Sequence, residues 1–304
     1  MCVTCGCSDK DQIAITNPKT GDQKFISHNE AHALGHSHTH GEEHADTPVR
    51  HEHLHAHHEH HSQAVSDSGS AAVMARSHNR TIELEKEILG KNQLIAERNR
   101  EWLTAKGILA LNLVSSPGSG KTTLLEQTVL ALKDEFEISV TEGDQETIHD
   151  AERIRATGGK ALQINTGTGC HLEAEMLERG IKSLDPASNS LLFIENVGNL
   201  VCPALFDLGE RAKVAILSVT EGEDKPLKYP HMFRACELMI LNKIDLLPFV
   251  RFDVEKCVDY ARQVNPEISV IRLSATTGEG CVDWYRWLEE VGSSSPAAKT
   301  QRRN

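Results

Sequence analysis

Ser115-Ser-Pro-Gly-Ser-Gly-Lys-Thr-Thr123 stands between an apolar run, Ile108-Leu-Ala-Leu-Asn-Leu-Val114, and a helical pattern, Thr123-Leu-Leu-Glu-Gln-Thr-Val-Leu-Ala-Leu132. Strand, glycine-rich loop and helix in that order make the context of a phosphate-binding loop. Backbone N–H groups around Gly118, Ser119 and Gly120 can point at phosphate oxygens, and the helix start near Thr123 adds partial positive charge. Lys121 can reach the β- and γ-phosphates, and the Thr122 hydroxyl can hold Mg²⁺. One departure is visible. The usual pattern opens with Gly, and here that position is Ser115. Gly118 and Gly120 are left to supply the tight turn.

A second motif selects the base. Asn242-Lys-Ile-Asp245 ends the apolar run Leu238–Leu241. A carboxylate at Asp245 can accept from both N1–H and the exocyclic amine of guanine. Adenine lacks that donor pair and would leave the carboxylate unpaired, which costs more than a missing contact. The Lys243 stem can lie over the purine face. Ser274-Ala275-Thr276 follows a further apolar run, Ser269–Leu273, and can support the base from its loop. The expected ligands are GTP and GDP.

From Ile108 to about Val291, strand and helix patterns alternate. Expected strands are 108–114, 136–141, 161–165, 191–195, 214–219, 237–242 and 268–273, with helices at 145–157, 171–182 and 253–264 among the connections. This alternation predicts an α/β fold, a doubly wound and mostly parallel sheet with its ligand at the carboxyl ends of the strands. A charged helical pattern over 81–106 carries Ile88, Leu89, Ile95 and Trp102 as an apolar stripe to lay against the domain. Residues 1–80 are polar and poor in large apolar side chains, so they are expected to be disordered. Residues 292–304 read as a flexible tail. The expected domains are therefore 1–80, 81–291 and 292–304.

Composition narrows the class. The 304 residues carry a formal charge of −12, which disfavours a nucleic-acid partner. No apolar run is long enough to span a membrane, and the N-terminus lacks the pattern of a secretion signal. A cytoplasmic protein is expected, and its eight cysteines read as thiols or metal ligands rather than disulfides.

Three groups of residues have metal-ligand character. Cys2, Cys5 and Cys7 offer three thiolates, and removal of Met1 would add an α-amine as a fourth donor. Zinc and square-planar Ni²⁺ both suit that set. Thirteen of the 17 histidines lie between His28 and His61. His36, His38, His40, His51, His53, His55, His57, His58, His60 and His61 form its densest part and suit weak, high-capacity metal storage. Cys170-His171, at the start of an expected helix, and Cys202-Pro203 both follow expected strands, so they can meet on the nucleotide face of the sheet. Two such sets across a dimer could share an ion.

Hydrolysis needs Mg²⁺ and an aligned water more than covalent chemistry. Asp144, in Glu142-Gly-Asp144-Gln145, and Glu195, at the end of Leu191–Glu195, are the candidate acids. Lys121, Asp144 and Glu195 are the expected catalytic residues, with Thr122, Asp144 and Glu195 around Mg²⁺. Asp150 is a further candidate. The sequence shows no obvious arginine finger or catalytic Gln, so slow intrinsic turnover is expected.

Taken together, Cys2-x-x-Cys5-Gly-Cys7, the histidine tract, Ser115–Thr123, Glu142-Gly-Asp144, Gly169-Cys170-His171, Glu195-Asn-Val-Gly-Asn199, Cys202-Pro203 and Asn242–Asp245 resemble the hydrogenase nickel-incorporation GTPases, the HypB family. The resemblance covers about Thr81 to Val291 plus the N-terminal cysteines. It implies a dimerising metal-carrier GTPase fold and a tight nickel site at Cys2, Cys5 and Cys7. It also implies a nucleotide-linked Ni²⁺/Zn²⁺ site at Cys170, His171 and Cys202 on the dimer interface. It further implies delivery of Ni²⁺ to the hydrogenase large-subunit precursor with a zinc-containing HypA-type partner. A urease-type accessory GTPase is the nearest alternative, but that family's Cys-Pro-His motif is absent. A nickel or zinc storage protein with a regulatory nucleotide site is the third, opposed by the intact Lys121, Thr122, Asn242 and Asp245.

Overall fold

The computed structural model describes residues 12–16, 23–27 and 68–294, apart from 145–148 and 168, with side chains described from 86 to 292. The chain divides into two compact units near Leu84. In the first, β1 (Gln12–Thr16) pairs antiparallel with β2 (Gln23–Ser27), Gln12 opposite Ser27. This hairpin was not anticipated by the sequence reading, which expects disorder across 1–80. Ile13 and Ile15, like Phe25 and Ile26, belong to the residue types that favour a pleated strand. Cys2, Cys5, Cys7 and the histidines from His28 to His61 lie outside the described residues, as does the end of the chain from 295.

The helix expected from Thr81 begins at Ser68 and runs to Ala105 as α1. From there β3 (Leu109–Ser115), α2 (Lys121–Leu132), β4 (Ile138–Asp144), α3 (His149–Ala156), β5 (Lys160–Asn165), α4 (Ala174–Leu184) and β6 (Leu191–Glu195) alternate. They are followed by a short α5 (Cys202–Leu205), β7 (Ala212–Ser218), α6 (Lys225–Lys228), α7 (Pro230–Ala235) and β8 (Leu238–Asn242). A 3₁₀ turn (Ile244–Phe249), α8 (Val254–Val264), β9 (Ser269–Arg272) and α9 (Cys281–Ser294) complete it. The seven strands from β3 onward form one parallel sheet in the order β5-β4-β6-β3-β7-β8-β9.

Side-chain parity assigns the two faces of the sheet. Leu109, Leu111 and Leu113 of β3, Leu191 and Phe193 of β6, Val214 and Ile216 of β7, and Leu238 and Ile240 of β8 share one core with α2 and Trp284 of α9. The alternate residues point the other way. Leu192 and Ile194 pack with Leu177 and Ile181 of α4 and Leu103 of α1, while Leu217, Met239 and Leu241 pack with Met232 and Phe233 of α7. Polar residues interrupt the apolar pattern of that second face, among them the buried Ser139 and Thr141 of β4 and Asn112 of β3. Asn112 of β3 is fully buried, donates to Glu210 Oε1 (3.1 Å) and accepts from Asn196 Nδ2 (3.2 Å).

Two expected details differ. The buried face of α1 is Asn92, Ile95, Ala96, Asn99 and Leu103, while Leu89 of the expected stripe is exposed and Trp102 half-buried. Helical spacing permitted either stripe, and the polar Asn92 and Asn99 hid the real one. Cys170 and His171 do not open a helix. They precede α4, in a turn where Gly169 N–H donates to the Thr166 carbonyl (2.9 Å).

The fold places Leu113 at the centre of the main core, with no exposed surface. Leu113→Ala should lower the unfolding free energy by about 3 kcal/mol in chemical denaturation, through lost burial and an unfilled cavity. A loss below about 1 kcal/mol would contradict the assigned strand parity.

Candidate functional site

Adjacent strands β3 and β6 send the chain in opposite directions, β3 through α2 toward β4 and β6 through α5 toward β7. Such a reversal opens a crevice at the carboxyl ends of the two strands. A cleft of about 680 Å³ lies there, lined by Gly118–Thr123, Glu142–Asp144, Asp150, Arg153, Cys170, Glu195–Asn199, Pro117 and Lys243.

The loop after β3 wraps this cleft. Gly120 caps α2 in the left-handed region (φ 96°), and a Cβ there would meet Asn242 Nδ2 at 2.6 Å. Only glycine satisfies both constraints. Ser115 replaces the first glycine of the usual pattern, and its buried hydroxyl accepts from Lys121 Nζ (2.8 Å) and donates to the Ser116 carbonyl (2.7 Å). Burial pulls the Lys121 pKa down, against the raising influence of Glu195, Asp150, Glu221 and Glu142. Gly198 approaches the loop so closely that a Cβ would lie 2.9 Å from Pro117 N, which holds the segment after β6 against the segment after β3.

The Asn242–Asp245 motif ties the base side to this loop. Asn242 Nδ2 donates to the Ser119 carbonyl (2.9 Å), and its Oδ1 accepts from Lys243 N (2.8 Å) and Ala275 N (3.0 Å). Asn242 is therefore a structural rivet joining the phosphate loop to the Ser274–Ala275 loop. Ser274 Oγ accepts from Thr277 N (3.1 Å) within that loop. Lys243, at φ 63°, extends Nζ back to the Gly118 carbonyl (2.6 Å), so its stem crosses the cleft edge. Asp245 Oδ1 is buried with no hydrogen-bond partner, an acceptor that suits a donor pair on a ligand.

At the phosphate end, Thr122 Oγ1 donates to Glu195 Oε1 at 2.8 Å. Glu195 is the register partner of Glu142 across β6 and β4. Both are more than nine-tenths buried, and Glu195 Oε2 and Glu142 Oε2 lack partners. Burial pushes the Glu195 pKa up and lifts that of Glu142 to about 8, aided by Glu195, Asp150 and Asp144. A divalent cation fits this chemistry: uncompensated buried acid oxygens beside a hydroxyl. Asp144 lines the same cleft at the end of β4. Glu142 escaped the sequence reading as a site residue, although the Glu-Gly-Asp motif contained it, because only pairing register sets it beside Glu195. Arg153 also escaped. It lines the cleft and is ion-paired with Glu126 (2.6 Å) and Asp150 (3.0 Å).

Cys170, His171 and Cys202 converge. Their ligand atoms all lie within 4.8 Å of one another, with Cys170 Sγ 3.2 Å from Cys202 Sγ and 3.7 Å from His171 Nδ1. Two thiolates on a tetrahedral zinc stand ~3.8 Å apart, so the trio needs little adjustment to receive an ion. His171 is 4 % exposed and its ring lies 4.0 Å from that of Phe206. Burial lowers its pKa to about 4, which keeps the imidazole neutral and able to ligate at neutral pH. Asn199 Nδ2 donates to the Cys170 carbonyl (3.3 Å) and Asn199 Oδ1 accepts from Val201 N (2.8 Å), while Asn196 Oδ1 accepts from Leu172 N (3.2 Å). The two asparagines after Glu195 thus hold the loop that carries Cys170. Cys236, Cys257 and Cys281 are buried and do not join this group, and burial drives the Cys236 and Cys257 thiols up to about 12.

Residues 109–272 match the family described as CobW/HypB/UreG, nucleotide-binding domain. The hydrogenase maturation factor HypB of Escherichia coli K12 is 62% identical over 213 residues, 70% of this chain and 73% of its own. The HypB of Cupriavidus necator is 46% identical over 98% of this chain and 91% of its own. A HypB from Helicobacter pylori, solved in complex with nickel, superposes with a TM-score of 0.62 at 39% identity, over 66% of this chain and 95% of that one.

The buried acid pair sets a pH dependence. Folded Glu142 holds its proton to about pH 8, and the unfolded chain releases it near 4.5. Between those values the folded state binds more protons, so this group's contribution to stability falls as pH rises. In thermal unfolding of the nucleotide-free chain, Glu142→Gln should match the parent at pH 4.5 and exceed it by about 3 °C or more at pH 8. A variant no more stable at pH 8 would contradict the burial of this acid.

Proposed function

We propose that this chain, which belongs to the CobW/HypB/UreG family and within it to the HypB hydrogenase maturation factors, is a GTP-hydrolysing carrier that stores Ni²⁺ and delivers it to the large-subunit precursor of [NiFe] hydrogenase. The observation that carries the reading is the double position of Cys170. It lines the phosphate cleft together with Lys121, Thr122 and Glu195, and it also belongs to the Cys170/His171/Cys202 trio. A change around the γ-phosphate therefore has a short route to a metal ligand.

In this reading the loop amides from Gly118 to Thr122 and the Lys121 ammonium bind the phosphates. Asp245 reads guanine with its unpartnered Oδ1, and Lys243 covers the base. Asn242 holds the two loops in register. Mg²⁺, held by Thr122 and Glu195 with Asp144 at the cleft wall, would neutralise charge on the β- and γ-phosphate oxygens. Glu142 supplies a further acceptor oxygen beside Glu195. Arg153 is compensated by Glu126 and Asp150 and is not a free arginine finger, which supports slow intrinsic turnover.

The metal roles divide by donor set. Cys170, His171 and Cys202 receive Ni²⁺ or Zn²⁺ under nucleotide control. Cys2, Cys5 and Cys7 form the tight nickel site, and the histidine tract is a reservoir of weak sites. The carrier acts as a homodimer in the cytoplasm and hands Ni²⁺ on with a HypA-type partner. No helix among the described residues is long and apolar enough to cross a membrane.

Two substitutions test the nucleotide half. Lys121→Ala should reduce GTP hydrolysis by roughly a hundredfold or more, with nickel binding at the N-terminal cysteines unchanged. Retained turnover would remove the phosphate-loop assignment. Asp245→Asn should lose GTP and gain xanthosine triphosphate as substrate, read by competition between the two nucleotides. Undiminished preference for GTP would assign base reading to another group.

A further inference from the structure

We propose that Asn92 and Asn99 of α1 are positioning residues for the Cys170/His171/Cys202 site, clamping together the two segments that carry its ligands. The inference rests on the reading of that trio as a metal site.

The two segments come from different strands. Cys170 and His171 follow β5 and lead into α4 at Ala174, while Cys202 opens α5 after β6, followed by Phe206 and Asp207. Asn92 joins them: its Oδ1 accepts from Ala174 N (2.8 Å) and its Nδ2 donates to the Asp207 carbonyl (2.7 Å). Asn99, two turns further along α1, joins them again. Its Nδ2 donates to the Ala174 carbonyl (2.9 Å) and to the Leu208 carbonyl (3.0 Å). Both polar groups of the Ala174 backbone are thus taken by α1, three residues beyond His171. Arg100 adds a two-pronged pair to the Asp207 carboxylate (2.7 and 2.6 Å).

The 206–210 loop is shaped to receive this helix. Gly209 lies at φ 93°, and a Cβ there would meet the Ala96 carbonyl oxygen at 2.5 Å and Asn99 Cβ at 2.7 Å. From the opposite side, Lys213 Nζ donates to the Phe206 carbonyl (2.9 Å) and Glu210 Oε2 accepts from Leu208 N (2.7 Å). Phe206 lies against His171, so the placement of this loop sets the wall of the site. Apolar side chains at 92 and 99 would suffice to dock α1, as Ile95, Ala96 and Leu103 do. Asparagine is a weak helix former and expensive to bury, and here every bond it makes runs to a ligand-bearing segment. Remote partners of this kind fix ligand geometry and with it metal affinity.

The test uses the full-length chain carrying Cys2→Ser, Cys5→Ser and Cys7→Ser, so that thiolate-to-metal charge transfer reports Cys170 and Cys202. Co²⁺ is titrated against a chelator. A parent without the charge-transfer band would refute the trio as a metal site. With the band present, Asn99→Ala should weaken Co²⁺ binding about tenfold or more and alter the ligand-field spectrum. Affinity for a non-hydrolysable GTP analogue should stay within about twofold of the parent. Asn99→Asp, which keeps the size but lacks both donors, should fail to restore metal binding. Arg100→Ala, on the partly exposed rim, should fold in any case and lose about threefold. Parent-like cobalt affinity and spectrum in Asn99→Ala, or a parallel loss of nucleotide and metal binding, would overturn the clamp.

Discussion

The chain leaves β3 and β6 in opposite directions, and everything functional follows from that constraint. Parallel strands put all their carboxyl ends on one edge, and the reversal opens the sheet between two neighbours. The phosphate loop leaves β3 there, and the Glu195–Asn199 segment leaves β6 there. Gly198 lets those two segments touch at Pro117. The Cys170/His171/Cys202 trio is then assembled from the loops after β5 and β6, so it borders the nucleotide cleft without needing an element of its own.

The electrostatics of the cleft describe a surface made for ligands. Burial works against the charge of Lys121, Glu142, Glu195 and His171 alike. Acid oxygens of Glu142, Glu195 and Asp245 are buried without hydrogen-bond partners. Phosphates beside Lys121, a divalent cation beside the paired glutamates and a donor edge beside Asp245 would each relieve one of these costs. The neutral His171 is the exception, since the neutral imidazole is already the form that binds a metal.

Much of this was legible in the sequence, and the reasons are local. Ser115–Thr123 could be recognised because a phosphate loop is a contiguous strand-loop-helix signal. All seven strands of the parallel sheet fell close to their expected positions, since runs such as Leu191–Glu195 are apolar on both faces. Cys170, His171 and Cys202 needed long-range topology to come together, and spacing alone left the site one possibility among several. Glu142 depended on strand register, which composition does not encode. Asn92, Asn99 and Asn112 read as polar interruptions in apolar patterns. Only the folded chain shows that the amides of Asn92 and Asn99 carry the backbone of the 206–210 loop and the start of α4, while that of Asn112 joins the side chains of Glu210 and Asn196. The β1–β2 hairpin was hidden because its strands are short and embedded in polar sequence.

The central claim is that nucleotide and metal share one wall of the same cleft and sense each other there. A competitive Ni²⁺ titration of the purified chain, once with GDP and once with a non-hydrolysable GTP analogue, tests it most directly. Thiolate-to-nickel absorbance is the signal, with Cys2→Ala and Cys170→Ala as controls. The account predicts that nickel affinity or occupancy changes with the nucleotide and that Cys170→Ala abolishes the change. Equal nickel binding in both nucleotide states would contradict it and would leave the metal sites a passive reservoir beside an independent GTPase.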